Sequence, residues 1–102
     1  MIKQVNSEEF KKEIKDGVVF VDFFANWCGP CKMLSPVVEQ LSEDIKDVKF
    51  IKVDVDAASE VAAEYGVMSI PTLIIFKDGK EISKQIGLMP KDALVDFINE
   101  NK

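Results

Sequence analysis

Cys28 and Cys31 are the only thiols in this 102-residue chain, and they frame the run Trp27-Cys28-Gly29-Pro30-Cys31. At the start of a helix, an i, i+3 spacing turns both sulfurs to one side, so the pair can close into a disulfide and reopen. A helix N-terminus offers unpaired N–H groups and a partial positive charge of about half a unit, which favours a thiolate there. Cys28 is therefore the expected nucleophile. Cys31, one turn on along the apolar stripe, is expected to be desolvated, out of reach of large partners, and to resolve rather than attack.

Two plainer readings of the pair are weaker on magnitude. A bridge closing four residues removes only about 2 kcal/mol of unfolded-chain entropy, against about 4.7 for a hundred-residue loop, so stapling is a poor reason for this spacing. The chain has no histidine. A metal site would then need carboxylates or a second copy of the chain beside the two thiolates, and imidazole catalysis is excluded altogether.

Asp22 is the only charge in the apolar run 18–25, six residues ahead of Cys28. Alternation sets it on the face of Phe20 and Phe24, where an ionised carboxylate is costly and its pKa should rise toward neutrality. Such a group is a usable proton acceptor, and the alternative is a carboxylate paired for structural reasons. Lys52, with Phe50 and Asp54 on its own face, is either that partner or a lysine whose head reaches solvent.

Periodicity supplies the elements that would hold these groups. A short strand over 2–5 precedes a helix over 7–15, with Asn6 as N-cap, Glu9 three residues on and Gly17 past its end. The run 18–25 reads as a central strand buried on both faces. Cys31, Leu34, Val38, Leu41 and Ile45 mark the stripe of a helix over 31–45, which Pro36 is expected to kink. A second buried strand over 48–55 completes a βαβ unit, so these two strands should be parallel. A short helix over 59–65 stops at Gly66, and strands over 72–76 and 81–86 turn at Asp78-Gly79. Pro90 suits the first turn of a last helix whose apolar residues are Leu94, Val95, Phe97 and Ile98.

Size and charge bound the rest. At 47% hydrophobic, the chain is expected to form one domain over residues 1–102. A net charge of −5 gives no electrostatic reason to expect nucleic acid or anionic membrane as partner. No stretch approaches the roughly 18 apolar residues of a membrane span, and no basic-then-apolar leader opens the chain. The mature protein is expected to begin where the sequence does and to stay in the cytoplasm, where a cysteine pair is catalytic or metal-binding more often than structural.

Trp27-Cys28-Gly29-Pro30-Cys31-Lys32 after a buried strand resembles the active site of thioredoxins, and the similarity covers essentially the whole chain. Asp22, Lys52, Ile70-Pro71-Thr72 and Gly87 match positions typical of that family. The resemblance implies an α/β thioredoxin fold, a central mixed five-stranded sheet flanked by four helices in three α/β/α layers. It implies a monomeric protein-disulfide reductase that is re-reduced by a thioredoxin reductase using NADPH, with no cofactor bound to this chain. The Gly-Pro pair between the cysteines resembles reducing members rather than the histidine-containing oxidising ones. Pro71, which the residues alone read as a strand opener, is implied to be cis and to lie against the disulfide, with the Ile70 backbone pairing with an extended substrate. Trp27, Gly29, Pro30, Ile70 and Gly87 would form an uncharged patch where another backbone can approach, ordinary packing being the other reading of Trp27. Phe24 departs from the pattern, standing where many thioredoxins have a second Trp. Two rival functions stay open: a dedicated electron donor to one partner enzyme, and an interaction module independent of its thiols.

Overall fold

Because the run from Val18 offers no polar face, both of its faces must be covered, and in the computed structural model, which describes residues 2–102, both are. The described elements are β1 (Lys3–Gln4), α1 (Ser7–Glu13), β2 (Val18–Phe24), α2 (Gly29–Asp44), β3 (Lys49–Asp54), α3 (Ser59–Glu64), β4 (Thr72–Lys77), β5 (Lys80–Ile86) and α4 (Lys91–Glu100). They form one mixed sheet in the order β1-β3-β2-β4-β5. β3 runs parallel to both β1 and β2, while β4 is antiparallel to β2 and to β5. This is the thioredoxin fold that the resemblance implied.

Alternation along β2 divides the core into two layers. Phe20 faces Leu34, Val38 and Leu41 of α2 and Leu94, Phe97 and Ile98 of α4. Val19, Val21 and Phe23 face Phe10 and Ile14 around α1 and Val61 of α3. Asp22 shares the parity of Phe20, so it points toward the α2 side and sits opposite Lys52 in the β2–β3 register.

Local signals placed most element ends. Asn6 forms a full capping box with Glu9: its side chain accepts from the Glu9 N–H at 2.9 Å, and the Glu9 carboxylate accepts from the Asn6 N–H at 3.0 Å. Asp78 and Gly79 both take positive φ, 51° and 87°, as a two-residue hairpin turn matched to strand twist requires. Two expectations need correction. α2 starts two residues before its apolar stripe, because Gly29 and Pro30 occupy first-turn positions where a backbone N–H has no intrahelical acceptor and a missing one costs nothing. Pro90 is the N-cap of α4 rather than part of its first turn, with an extended ψ of 156°. α2 continues through Pro36, which leaves the Lys32 carbonyl without its usual helical donor.

Candidate active site

Cys28 is the N-cap residue of α2, and its Sγ accepts the Cys31 N–H at 3.2 Å. Its own N–H bonds to the Ala25 carbonyl at 3.2 Å, and its carbonyl takes the first helical bond, from Lys32, at 3.2 Å. The sulfur thus occupies the place that a Ser or Asp oxygen takes in an ordinary cap. No acidic residue lies in the first turn of α2. The positive end of the helix is therefore left to stabilise negative charge on Cys28.

Cys28 and Cys31 are joined in a disulfide, with their Cα atoms 5.3 Å apart. The expected difference in exposure between them is absent: the two residues are 4% and 5% exposed. Both pack with Ala25, and Phe24, Val55 and Ile70 lie against them. What distinguishes the two thiols is their position relative to the helix end, Cys28 capping it and Cys31 lying inside it.

Asp22 is 6% exposed, and its Oδ1 is buried with no hydrogen-bond partner. Burial pushes its pKa up to about 6, against the opposing pull of the Lys52 charge. Lys52 is half-buried and stacks its ammonium 5.6 Å from the centre of the Phe24 ring, a cation–π contact in place of a closed ion pair. Asp22, Lys52, Cys31, Lys32 and Ser35 all line one cavity of about 180 Å³. A space of that size, lined by charged and polar side chains as well as by Cys31, has room for a water to bridge Cys31 and Asp22.

Of the other sequence candidates, Trp27, Gly29 and Pro30 adjoin the cysteines along the chain, Gly29 and Pro30 within α2, while Ile70, Pro71 and Gly87 come from the ends of β4 and β5. The Ile70–Pro71 bond is cis, Pro71 is buried, and Ile70 touches the cysteine cluster. The Gly87 N–H donates to the Pro71 carbonyl at 2.8 Å, which ties the end of β5 to this loop. Gly87 has φ +98°, and neither there nor at Gly29 would an added Cβ meet anything within 4 Å. The space above both glycines is open to a second backbone. Gly29 and Pro30 are exposed.

Trp27 is 71% exposed, so ordinary packing does not hold it. Its indole N–H donates to the Asp56 carboxylate at 2.9 Å. Asp56, Met33 and Met68 are residues that sequence reasoning missed. Met68 is 95% and Met33 64% exposed, large apolar side chains left facing solvent outside the predicted patch. The solvent-facing methionines carry no periodic signal, but an indole beside a cysteine motif does call for an acceptor, and the Asp-x-Asp pair ending β3 supplies one. Among the described residues, no three His, Cys, Asp or Glu side chains gather as a metal site.

The family model described as Thioredoxin matches residues 1–100. The chain is 48% identical over 102 residues to a thioredoxin of Chlamydia trachomatis, covering all of both chains. It is 46% identical over 101 residues to one of Bacillus subtilis, covering 98% of this chain and 97% of that one. A solved structure of Plasmodium falciparum thioredoxin superposes with a TM-score of 0.93 at 38% identity, covering 99% of this chain and all of the other.

Proposed function

The chain belongs to the thioredoxin family and is a thiol–disulfide oxidoreductase, and on that premise we propose that Cys28 attacks, Cys31 resolves and Asp22 accepts the proton. The Cys28 thiolate attacks one sulfur of a substrate protein's disulfide. A Cys28–substrate bond forms, the substrate S–S bond breaks, and the leaving sulfur departs with the electron pair as a thiolate that takes up a proton. Cys31 then gives its proton through cavity water to Asp22 and attacks the Cys28 sulfur, releasing the second substrate thiolate. Two electrons have passed to the substrate, and the Cys28–Cys31 disulfide is what remains.

The observation that carries this reading is the Cys28 sulfur capping α2, where the Cys31 N–H already donates to it. Lys52 opposes the effect of burial on Asp22 and keeps its ionised form accessible near neutral pH. Trp27, Gly29, Pro30, Ile70, Pro71 and Gly87 form the substrate rest, their open backbone and apolar surface suiting an extended segment. A thioredoxin reductase drawing on NADPH returns the pair to the dithiol, so this chain binds no cofactor itself. It acts as a monomer in the cytoplasm.

Insulin reduction with dithiothreitol tests the assignment. Cys28→Ser is expected to fall to the rate of dithiothreitol alone, and a wild-type rate would reject the mechanism.

A further inference from the structure

Asp54, the last residue of β3, is a buried carboxyl group for which the reaction has no use. Its Oδ1 accepts the N–H of Asp56 at 2.9 Å and of Ala57 at 3.3 Å, and its Oδ2 accepts from the Asn26 side chain at 3.4 Å. Asn26 directly precedes Trp27, and Asp56 accepts the Trp27 indole N–H. One carboxyl group therefore grips both ends of the link to the tryptophan: the loop that bears it and the turn that bears its acceptor. The Val55 N–H, which bonds to the Phe24 carbonyl at 2.9 Å, holds the same two loops together at the level of the backbone.

We propose that Asp54 is a positioning residue for substrate binding, acting through Asn26 and Asp56 to hold the exposed Trp27 indole in one pose beside Cys28. The proposal rests on Trp27 belonging to the substrate rest. An indole this exposed has little packing to restrain it, and one left free would be immobilised only when substrate docks, at a cost to affinity. Anchoring it beforehand removes that cost from the binding step. A purely local role is the alternative, in which Asp54 only closes the turn into α3 through its bonds to the Asp56 and Ala57 N–H groups. That role would lower stability and leave Trp27 and substrate affinity unchanged.

Trp27 is the only tryptophan, so its fluorescence reports this one side chain. Time-resolved anisotropy of the reduced, substrate-free protein should show faster local motion of the indole in Asp54→Ala than in wild type. In insulin reduction the same variant should raise KM about three- to tenfold, the scale set by the net worth of one hydrogen bond. Its kcat should stay within about twofold of wild type, as for a loss of uniform binding. Asp54→Asn should restore both readouts, since an amide oxygen still accepts the two backbone N–H groups and Asn26 can turn its own amide to match. Wild-type anisotropy in Asp54→Ala, a wild-type KM, or Asp54→Asn as impaired as Asp54→Ala would each overturn the proposal. If Asp54→Ala does not fold, Asn26→Ala cuts the network at its exposed end, and an unchanged indole decay there overturns it equally. The anisotropy needs no substrate, so a wild-type protein inactive toward insulin would count against the proposed function and leave this test standing.

Discussion

A sulfur that caps a helix and a sulfur inside its first turn differ chemically even when both are buried to the same degree. Cys28 faces unpaired N–H groups, whereas the Cys31 N–H is itself a donor to Cys28. Cys31→Ser should therefore leave Cys28 able to attack and unable to let go. The expected result is covalent complexes with substrate proteins on non-reducing gels, released by dithiothreitol; recovering none would argue for an interaction module that does not use its thiols. Asp22 adds a pH dependence. Its carboxyl must be ionised to take the Cys31 proton, so turnover limited by resolution should fall as pH drops through about 6. Asp22→Asn should turn over more slowly and lose that acid limb, and an unaltered pH–rate profile would remove Asp22 as proton acceptor. The cysteines and Asp22 were legible from residue type and spacing alone. The partner of Trp27 was not, because Asp56 lies 29 residues away along the chain.

At the scale of elements, the segments that position the site end where local chemistry tells them to. α1 begins at Asn6 because its side chain and that of Glu9 satisfy each other's backbone N–H groups. Asn6→Ala should cost about 1 kcal/mol in urea unfolding while leaving insulin reduction at the wild-type rate, since α1 lies on the sheet face away from α2. A stability change below about 0.3 kcal/mol would mean that packing of Phe10 alone sets this helix. Gly66, which follows the Tyr65 cap of α3 at φ +65°, could be read from the sequence for the same local reason, whereas α1 stops at Glu13, short of the expected 15, and Gly17 lies three residues past its Ile14 cap. The start of α2 was misread, because Gly and Pro add nothing to an apolar stripe even when they occupy helical positions. The first strand, read over 2–5, is confined to Lys3–Gln4, because its ends are set by pairing with β3, which a periodicity argument cannot see.

Across the whole molecule, the ionised Asp22 carboxylate is a burden on stability at neutral pH. Burial raises the Asp22 pKa from 3.8 to about 6, so the folded chain holds this proton more tightly than the unfolded one. Stability from this group is at its highest below about pH 4 and is lost as pH rises through about 6, the full loss being roughly 3 kcal/mol. Asp22→Asn should therefore be more stable than wild type at pH 8 by about 2–3 kcal/mol and converge with it near pH 4. Urea midpoints across that range provide the check, and a difference that does not vary with pH would refute it. The sequence by itself determined the chemistry and the order of the elements. A Cys-x-x-Cys pair, a lone acid in an apolar strand and the absence of histidine are facts of composition, while caps, turns and stripes depend on residues within about four of one another. Only the tertiary structure decided that the two thiols are equally buried, that Asp22 and Cys31 share one cavity, and that Asp54 and Asp56 reach Asn26 and Trp27. Each of these joins groups from different elements, and such distances are fixed by how the sheet and helices pack rather than by any local preference of the chain.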